Sequence, residues 1–454
     1  MKKPVSFPEH LTEEEKAILT PLISVPPGFW LGVGFFAMLL FAGIYAYLYQ
    51  WRYGLGMTGL NRPIFWGVYI TNFVFFIGIS HAGTLISSVL RITNTEWRRP
   101  FTRAAEAITI FSLPFGALCI ILDLGRPDRV LNVLRTPHFT SPLIWDVICI
   151  STYLLTSTVY FYLALLPDLA LCRDYLPEVS PFRRALYRRL ALGYVHNPAR
   201  WKKIERIMLG MCIFLFILVV SVHTNVSFVF LMTIQPGWHT TVLAPYFVLG
   251  AVYSGTATVI IIMAILRKVY HLEHLVTPAH FQKVGKFLLA LALFWLYFTG
   301  IEFISIVYGQ EISHMAVLRA KFFEEFAHSF WAMVFFTFLL PLPFLVFGKL
   351  RTIPGLVFAS LSINIGMWLE RYTVIVPSEA RPRLPYMWGI YIPSWVEIFI
   401  TIGLFAGFSL LYWIFSKFFP VLTIWEIREG KERAVAEFAE EVKSYYPEMV
   451  VEEK

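Results

Sequence analysis

The sequence predicts an all-α protein that crosses a membrane about ten times. Three observations carry this. The chain of 454 residues is 57% hydrophobic, 17% aromatic and only 15% charged, whereas soluble domains carry about 25% charged residues. Its apolar residues come in runs of roughly 20 or more, the length that crosses about 30 Å of hydrocarbon. Its basic residues gather in alternate loops, as they do when Lys and Arg stay on the cytoplasmic side.

The spans fall at 27–50, 63–90, 103–124, 142–166, 206–234, 241–266, 284–309, 323–348, 352–376 and 393–418. Each must be helical, because lipid offers no partner for an open backbone group. Ten spans allow two four-helix bundles plus two flanking helices. Ahead of them lies a polar segment, 1–26, without the apolar core of a cleaved signal peptide. Its Thr12-Glu13-Glu14-Glu15 reads as a capping box that opens a short surface helix. The stretch 168–205 reads as a basic loop beside lipid headgroups or a docking site, and 419–454 as a solvated tail or short amphipathic helix.

The net charge is +8. In a membrane protein this reads as topology rather than as affinity for nucleic acid. With the amino terminus inside, 28 of the 38 Lys and Arg fall in inner segments, which places both termini in the cytoplasm. Of the four cysteines, none forms a C-x-x-C pair. No iron–sulfur cluster, metal site or disulfide framework is expected.

Ionisable groups within hydrocarbon are costly, so each is a candidate for function. Asp123 ends the third span and Asp146 lies one turn into the fourth. Both sit near the outer surface and could face each other. A quinol loses two protons and two electrons on oxidation, and a carboxylate bonded to its ring hydroxyl can take one proton. The plainer alternative pairs Asp123 with Arg126 or Arg129. Glu302, in the seventh span, and His223, in the fifth, are relay groups or satisfied packing groups. His81, in the second span, is an inner-side relay or a structural histidine among small neighbours that allow close helix packing. Glu370 and Arg371, with Glu397, read as an interhelical ion pair near the outer face. A b-type haem would need two histidines at equal depth on facing helices. His81 and His223 are the interior candidates, and their expected depths differ.

Several strings resemble the NrfD/polysulfide-reductase membrane-subunit family over nearly the whole chain. They include Ser80-His81-Ala82-Gly83-Thr84, Ala104-Ala105-Glu106-Ala107, Leu124-Gly125-Arg126-Pro127, Trp145-Asp146-Val147, Pro236-Gly237-Trp238-His239 and Trp368-Leu369-Glu370-Arg371. The chain looks closest to the large quinol-binding membrane subunit of bacterial alternative complex III. That resemblance implies a first bundle over 63–234 that carries a quinone site, a second bundle over 241–376, and flanking helices at 27–62 and 393–418. It implies menaquinone or ubiquinone as substrate and no redox centre, haem or iron–sulfur cluster, in the chain. An iron–sulfur or molybdopterin-type subunit would dock on the outer face, beside other membrane subunits and lipid, in a bacterial or archaeal cytoplasmic membrane. It further implies possible coupling to proton translocation. By the same resemblance Asp123 and Asp146 line the pocket. On the chemistry of the residues alone, His223, Glu302, His81 and Arg126 stand behind them as supporting or relay groups. Asp123 stands where the family pattern usually has His, and Val229 where it has another Asp. From other classes, a secondary transporter and a haem b anchor compete with this reading. Solute uptake without a redox partner would favour the first of these, and reduced-haem bands the second.

Overall fold

The computed structural model describes residues 11–23, 27–93, 95, 98–176, 179–195 and 197–430. Ten helices among them are long and apolar enough to cross a membrane. They are α1 (Pro27–Tyr53), α2 (Val68–Ile92), α3 (Arg99–Asp123), α4 (Pro142–Tyr175), α5 (Pro198–Leu231), α6 (Leu243–Val269), α7 (Pro278–Gly309), α8 (Ala327–Val346), α9 (Ile353–Ala380) and α10 (Trp395–Phe418). The chain is therefore a polytopic helical membrane protein, as its composition predicts.

The expected ends shift where polar residues extend or stop a helix. α4 and α5 run past 166 and begin before 206, so much of the basic stretch between them is helical. A further helix there, Pro181–Leu190, is capped by Ser180, whose hydroxyl accepts from the Arg183 amide at 3.4 Å. α2 starts five residues later than expected because the chain before it is tied down as a loop. Glu379 accepts from the Phe65 and Trp66 amides at 2.7 Å each, and Glu397 from the Gly59 amide at 2.6 Å. The span expected at 323–348 is α8, Ala327–Val346. Ile312–Phe322 forms a separate helix, and α8 follows with a π turn at Phe335–Leu339 ahead of Pro341, which has no amide hydrogen to continue the ladder. The capping box at the amino-terminal helix Glu13–Ile23 is present. The Thr12 amide donates to Glu15 at 3.0 Å and the Glu15 amide to Thr12 Oγ1 at 3.3 Å. Residues 1–10 and 431–454, most of the expected tail, lie outside the described residues.

Helices α2–α5 pack in a ring, α6–α9 in a second, and α2 joins the two by lying against α6 and α9 as well. Its membrane window is 82% buried, against 11% for α1. The small neighbours of His81 explain the fit to α3. A Cβ at Gly83 would lie 2.0 Å from the Ala105 carbonyl oxygen. α1 pairs with α10 on the flank of α3 and α2. At their crossing a Cβ on Gly403 would lie 2.7 Å from the Gly43 Cα, the close backbone approach that small residues permit in lipid.

The end of the molecule that carries Glu13–Ile23, here called the proximal end, is closed by a strap, residues 419–430. Arg183 donates to the Leu22 carbonyl at 2.5 Å and to that of Lys417 at 3.0 Å, and Arg428 pairs with Glu15. Within the strap Trp425 donates to the Ala164 carbonyl at 3.0 Å, and the Ile424 amide to Asp168 at 3.3 Å. Asp168 is fully buried against Arg103 at 2.9 Å. Glu426, also fully buried, receives Arg91 at 2.7 Å and Arg98 at 2.9 Å. Burial alone would raise its pKa, but the Arg98 and Arg91 guanidiniums outweigh that and hold it below the usual carboxylate range.

Three outcomes are expected. Gly403→Val forces α10 off α1 and destabilises the protein by about 1–3 kcal/mol, read as a lower melting temperature in detergent. Arg103→Leu strands the Asp168 charge and costs about 3–5 kcal/mol, whereas Arg103→Leu with Asp168→Leu recovers most of the loss. Because Glu426 titrates lower folded than unfolded, its contribution is complete above the unfolded value of about 4.3 and is lost as pH falls through the folded one. Amide exchange in residues 424–430 should stay slow from pH 7 to 5 and accelerate below the ordinary carboxylate range. Glu426→Gln should free the strap at neutral pH.

Candidate functional site

A row of buried polar groups runs up the first ring. At its proximal end Arg91 reaches from Glu426 to the Tyr160 hydroxyl at 3.4 Å. Ser87 donates to Glu106 at 2.7 Å and lies 3.0 Å from Tyr160. One turn further along α2, Thr84 meets Tyr153 at 2.7 Å, and Tyr153 donates to the Ser80 carbonyl at 3.0 Å. Next comes His81. Beyond it, on α5, lie His223 and Asn225, and Asn225 donates to Asp146 of α4 at 2.5 Å. Such groups survive at membrane depth because α2 is walled by other helices, so that most of them find a protein partner instead of lipid.

The two histidines touch. Their ring centroids are 4.5 Å apart, edge to face. His81 Nδ1 lies 2.6 Å from the Ile77 carbonyl and Nε2 3.1 Å from that of Val219. A neutral imidazole donates through one nitrogen only, and an imidazolium through both. His81 is thus held so that a second proton meets a ready acceptor. His223 is the opposite case, with both ring nitrogens buried and without a protein partner. It contacts Phe247, over whose ring Arg371 sits at 4.9 Å.

From Arg371 the polar groups continue into the second ring. Arg371 pairs with Glu370 at 2.9 Å, both 1% exposed. Neither Glu370 oxygen meets an aligned donor. Tyr246 faces Glu370 and Glu302, and Glu302 and Glu370 both lie within electrostatic reach of the buried Lys321.

Several expectations need correction. His81 and His223 are not set apart by depth, because their rings are in contact. Contact between the rings does not suit a shared axial-ligand pair, since both His81 nitrogens already face carbonyls. Arg126 stands behind neither carboxylate. Its turn lies outside α3, where it forks exposed Asp128 at 3.0 and 3.1 Å. Glu397 is not part of the Glu370–Arg371 pair. It caps α10 through the Ser394 amide at 2.8 Å and accepts from Tyr391. That pair joins neighbours on α9 rather than two helices, and it lies deep rather than at the rim.

Asp146 is buried at the distal end of α4 and Asp123 half-buried at that of α3, but no hydrogen bond or charge interaction joins them among the described residues. Asp123 keeps one carboxylate oxygen without a partner. Its electrostatic neighbours are Glu379 and Glu397, in a cluster where Gln50 donates to the Leu122 carbonyl at 3.0 Å and accepts from Tyr69. Sequence reasoning passed over Glu106, Tyr160, Tyr246 and Lys321. Glu106 was within reach, since it lies inside a family string. The tyrosines read as ordinary membrane aromatics, and Lys321 as a loop residue.

A family model described as "Polysulphide reductase, NrfD" matches residues 56–382. The chain is 24% identical over 414 residues to a putative dimethyl sulfoxide reductase membrane subunit of Halobacterium salinarum, covering 86% of this chain and 91% of that one. It is 23% identical to the "Hdr-like menaquinol oxidoreductase integral membrane subunit" of Archaeoglobus fulgidus, covering 88% and 93%. It is 22% identical to the "Menaquinone reductase, integral membrane subunit" of Nitratidesulfovibrio vulgaris, covering 84% and 88%. With ten spanning helices and a family match over most of its length, the chain belongs to the NrfD polysulphide reductase family.

Proposed function

We propose that this protein is the quinone-handling membrane subunit of a respiratory oxidoreductase, and that Asp146 is the group that exchanges a proton with the quinone ring. One observation carries the reading: the near-continuous row of buried polar groups from Asp146 and Asn225, through the touching histidines, to Glu426 at the opposite end. Relatives named for menaquinol and menaquinone chemistry support it.

Oxidation of a quinol yields the quinone, two protons and two electrons. The electrons leave to a redox partner at the distal end, an iron–sulfur or molybdopterin-type subunit. One proton goes to Asp146, which Asn225 orients by donating to its other oxygen. The second proton goes to His223, whose nitrogens are both open, and passes towards His81. Ser80, Thr84, Ser87 and Glu106 extend that path to the proximal end, and Glu302 and Glu370 offer a branch in the second ring. Run in reverse, the same groups serve quinone reduction, so the row suits either direction and suits coupling to proton translocation.

Asp123 belongs in this reading to the rim cluster rather than to the ring-binding pair. The proximal end is assigned to the cytoplasm, because it carries the described parts of the segments in which the sequence places 28 of its 38 basic residues, and the membrane to the bacterial or archaeal cytoplasmic membrane. Kinship with the large subunit of alternative complex III rests on the strings around His81, Glu106 and Asp146.

The assembled complex provides the test. Asp146→Asn should lower quinol turnover by about 10²-fold or more while leaving the melting temperature near that of the wild type. Asp123→Asn should lower it far less, and Arg126→Ala not measurably. Full turnover in Asp146→Asn, or equal losses in Asp146→Asn and Arg126→Ala, would overturn the assignment.

A further inference from the structure

Away from the polar row, a crevice of about 340 Å³ lies between the α1–α10 pair and the seam of the two rings. Its wall comes from α1, α2, α6, α9 and α10 and is almost wholly apolar, with Phe36, Phe75 and Ile262 among the lining side chains. The few polar groups in it are already spent on each other or on backbone carbonyls. Thr258 donates to Asn364 at 3.1 Å, and Tyr270 and Ser416 are 2.7 Å apart. Such a wall accepts hydrocarbon and offers nothing to a polar ring.

The crevice adjoins a second, wider cavity of about 890 Å³ at the proximal rim, and Ile265 and Leu361 line both. The rim cavity is of opposite character. Arg267, Lys268 and Arg351 face it, against one carboxylate, Glu273. Arg267 and Arg351 are anchored through carbonyls, the first on Val276 at 2.7 Å and the second on Leu345 at 2.9 Å. Lys268 makes no ion pair among the described residues. The first turns of α7 and α9 open onto the same space, at Pro278 and at Thr352 to Pro354, and helix amino termini favour anions.

We propose that the two cavities together bind one anionic phospholipid, an acyl chain in the crevice and the headgroup phosphate on the basic rim. The excess of positive charge selects an anionic headgroup over a zwitterionic one. The apolar channel selects a lipid over free phosphate. The bound lipid wedges the flanking pair to both rings and covers a surface that their packing leaves open.

The full-length protein, stripped of lipid in detergent, can be reloaded with dioleoyl phosphatidylglycerol or with phosphatidylcholine carrying the same chains. Retained adducts are counted by native mass spectrometry, and the melting temperature is followed in parallel. The glycerol lipid should be retained roughly fivefold or more over the choline lipid and should raise the melting temperature. Lys268→Glu should erase that preference. Ile265→Trp, a substitution at a side chain 44% exposed, should block the junction and lower retention of both lipids. Inorganic phosphate should displace neither. Equal retention of the two lipids by the wild type, unchanged retention in both variants, or displacement by inorganic phosphate would overturn the proposal.

Discussion

Hydrocarbon hydrogen-bonds to nothing, and this structure is organised around the one helix that escapes it. α2 is wrapped by α3, α5, α6 and α9. Shielded in this way, it carries Asn72, Ser80, His81, Thr84, Ser87 and Arg91 at depths where a lipid-facing helix could carry none. Each of these side chains points at a group on a neighbouring helix or at backbone. The polar row is therefore also what holds the two rings in register. The element that would carry protons and the keystone of the packing are the same helix.

The strap and the row meet at Glu426, so the proximal end of the row is closed by residues that follow the tenth span. Buried arginines at the ends of α2 and α3 find carboxylates there and on α4. A buried pair of this kind adds little stability over an apolar replacement, but it is strict about geometry. The function of such pairing here is to fix where the strap lies, and with it the access to Tyr160, Ser87 and Glu106.

Ten spans were legible because length and apolarity alone decide what crosses a bilayer. Their ends were less so. α4 and α5 continue as amphipathic helix beyond the hydrocarbon, where hydropathy falls but helix propensity does not. Depth suffered most. Counting residues from a span's end assumes untilted helices of equal start, and it separated His81 from His223 although their rings touch. Glu397 was misplaced for another reason. Its partners, the Gly59 amide and Tyr391, belong to loops that no periodicity announces. Asp146, His81 and Glu106, all in the resemblance strings, do lie in the buried row, whereas Arg126 does not. Lys321 and Tyr246 did not appear, because their role depends on a fold around Glu370 that the sequence does not display.

The order of synthesis gives the strap a further meaning. Arg91 leaves the ribosome 335 residues before Glu426. Through that interval its guanidinium, with that of Arg98, must be satisfied by water or by lipid phosphate at the headgroup level. Their carboxylate partner arrives only with residues 419–430. Burial of Arg91 and Arg98 is thus completed late in synthesis, by a segment that follows the spanning helices.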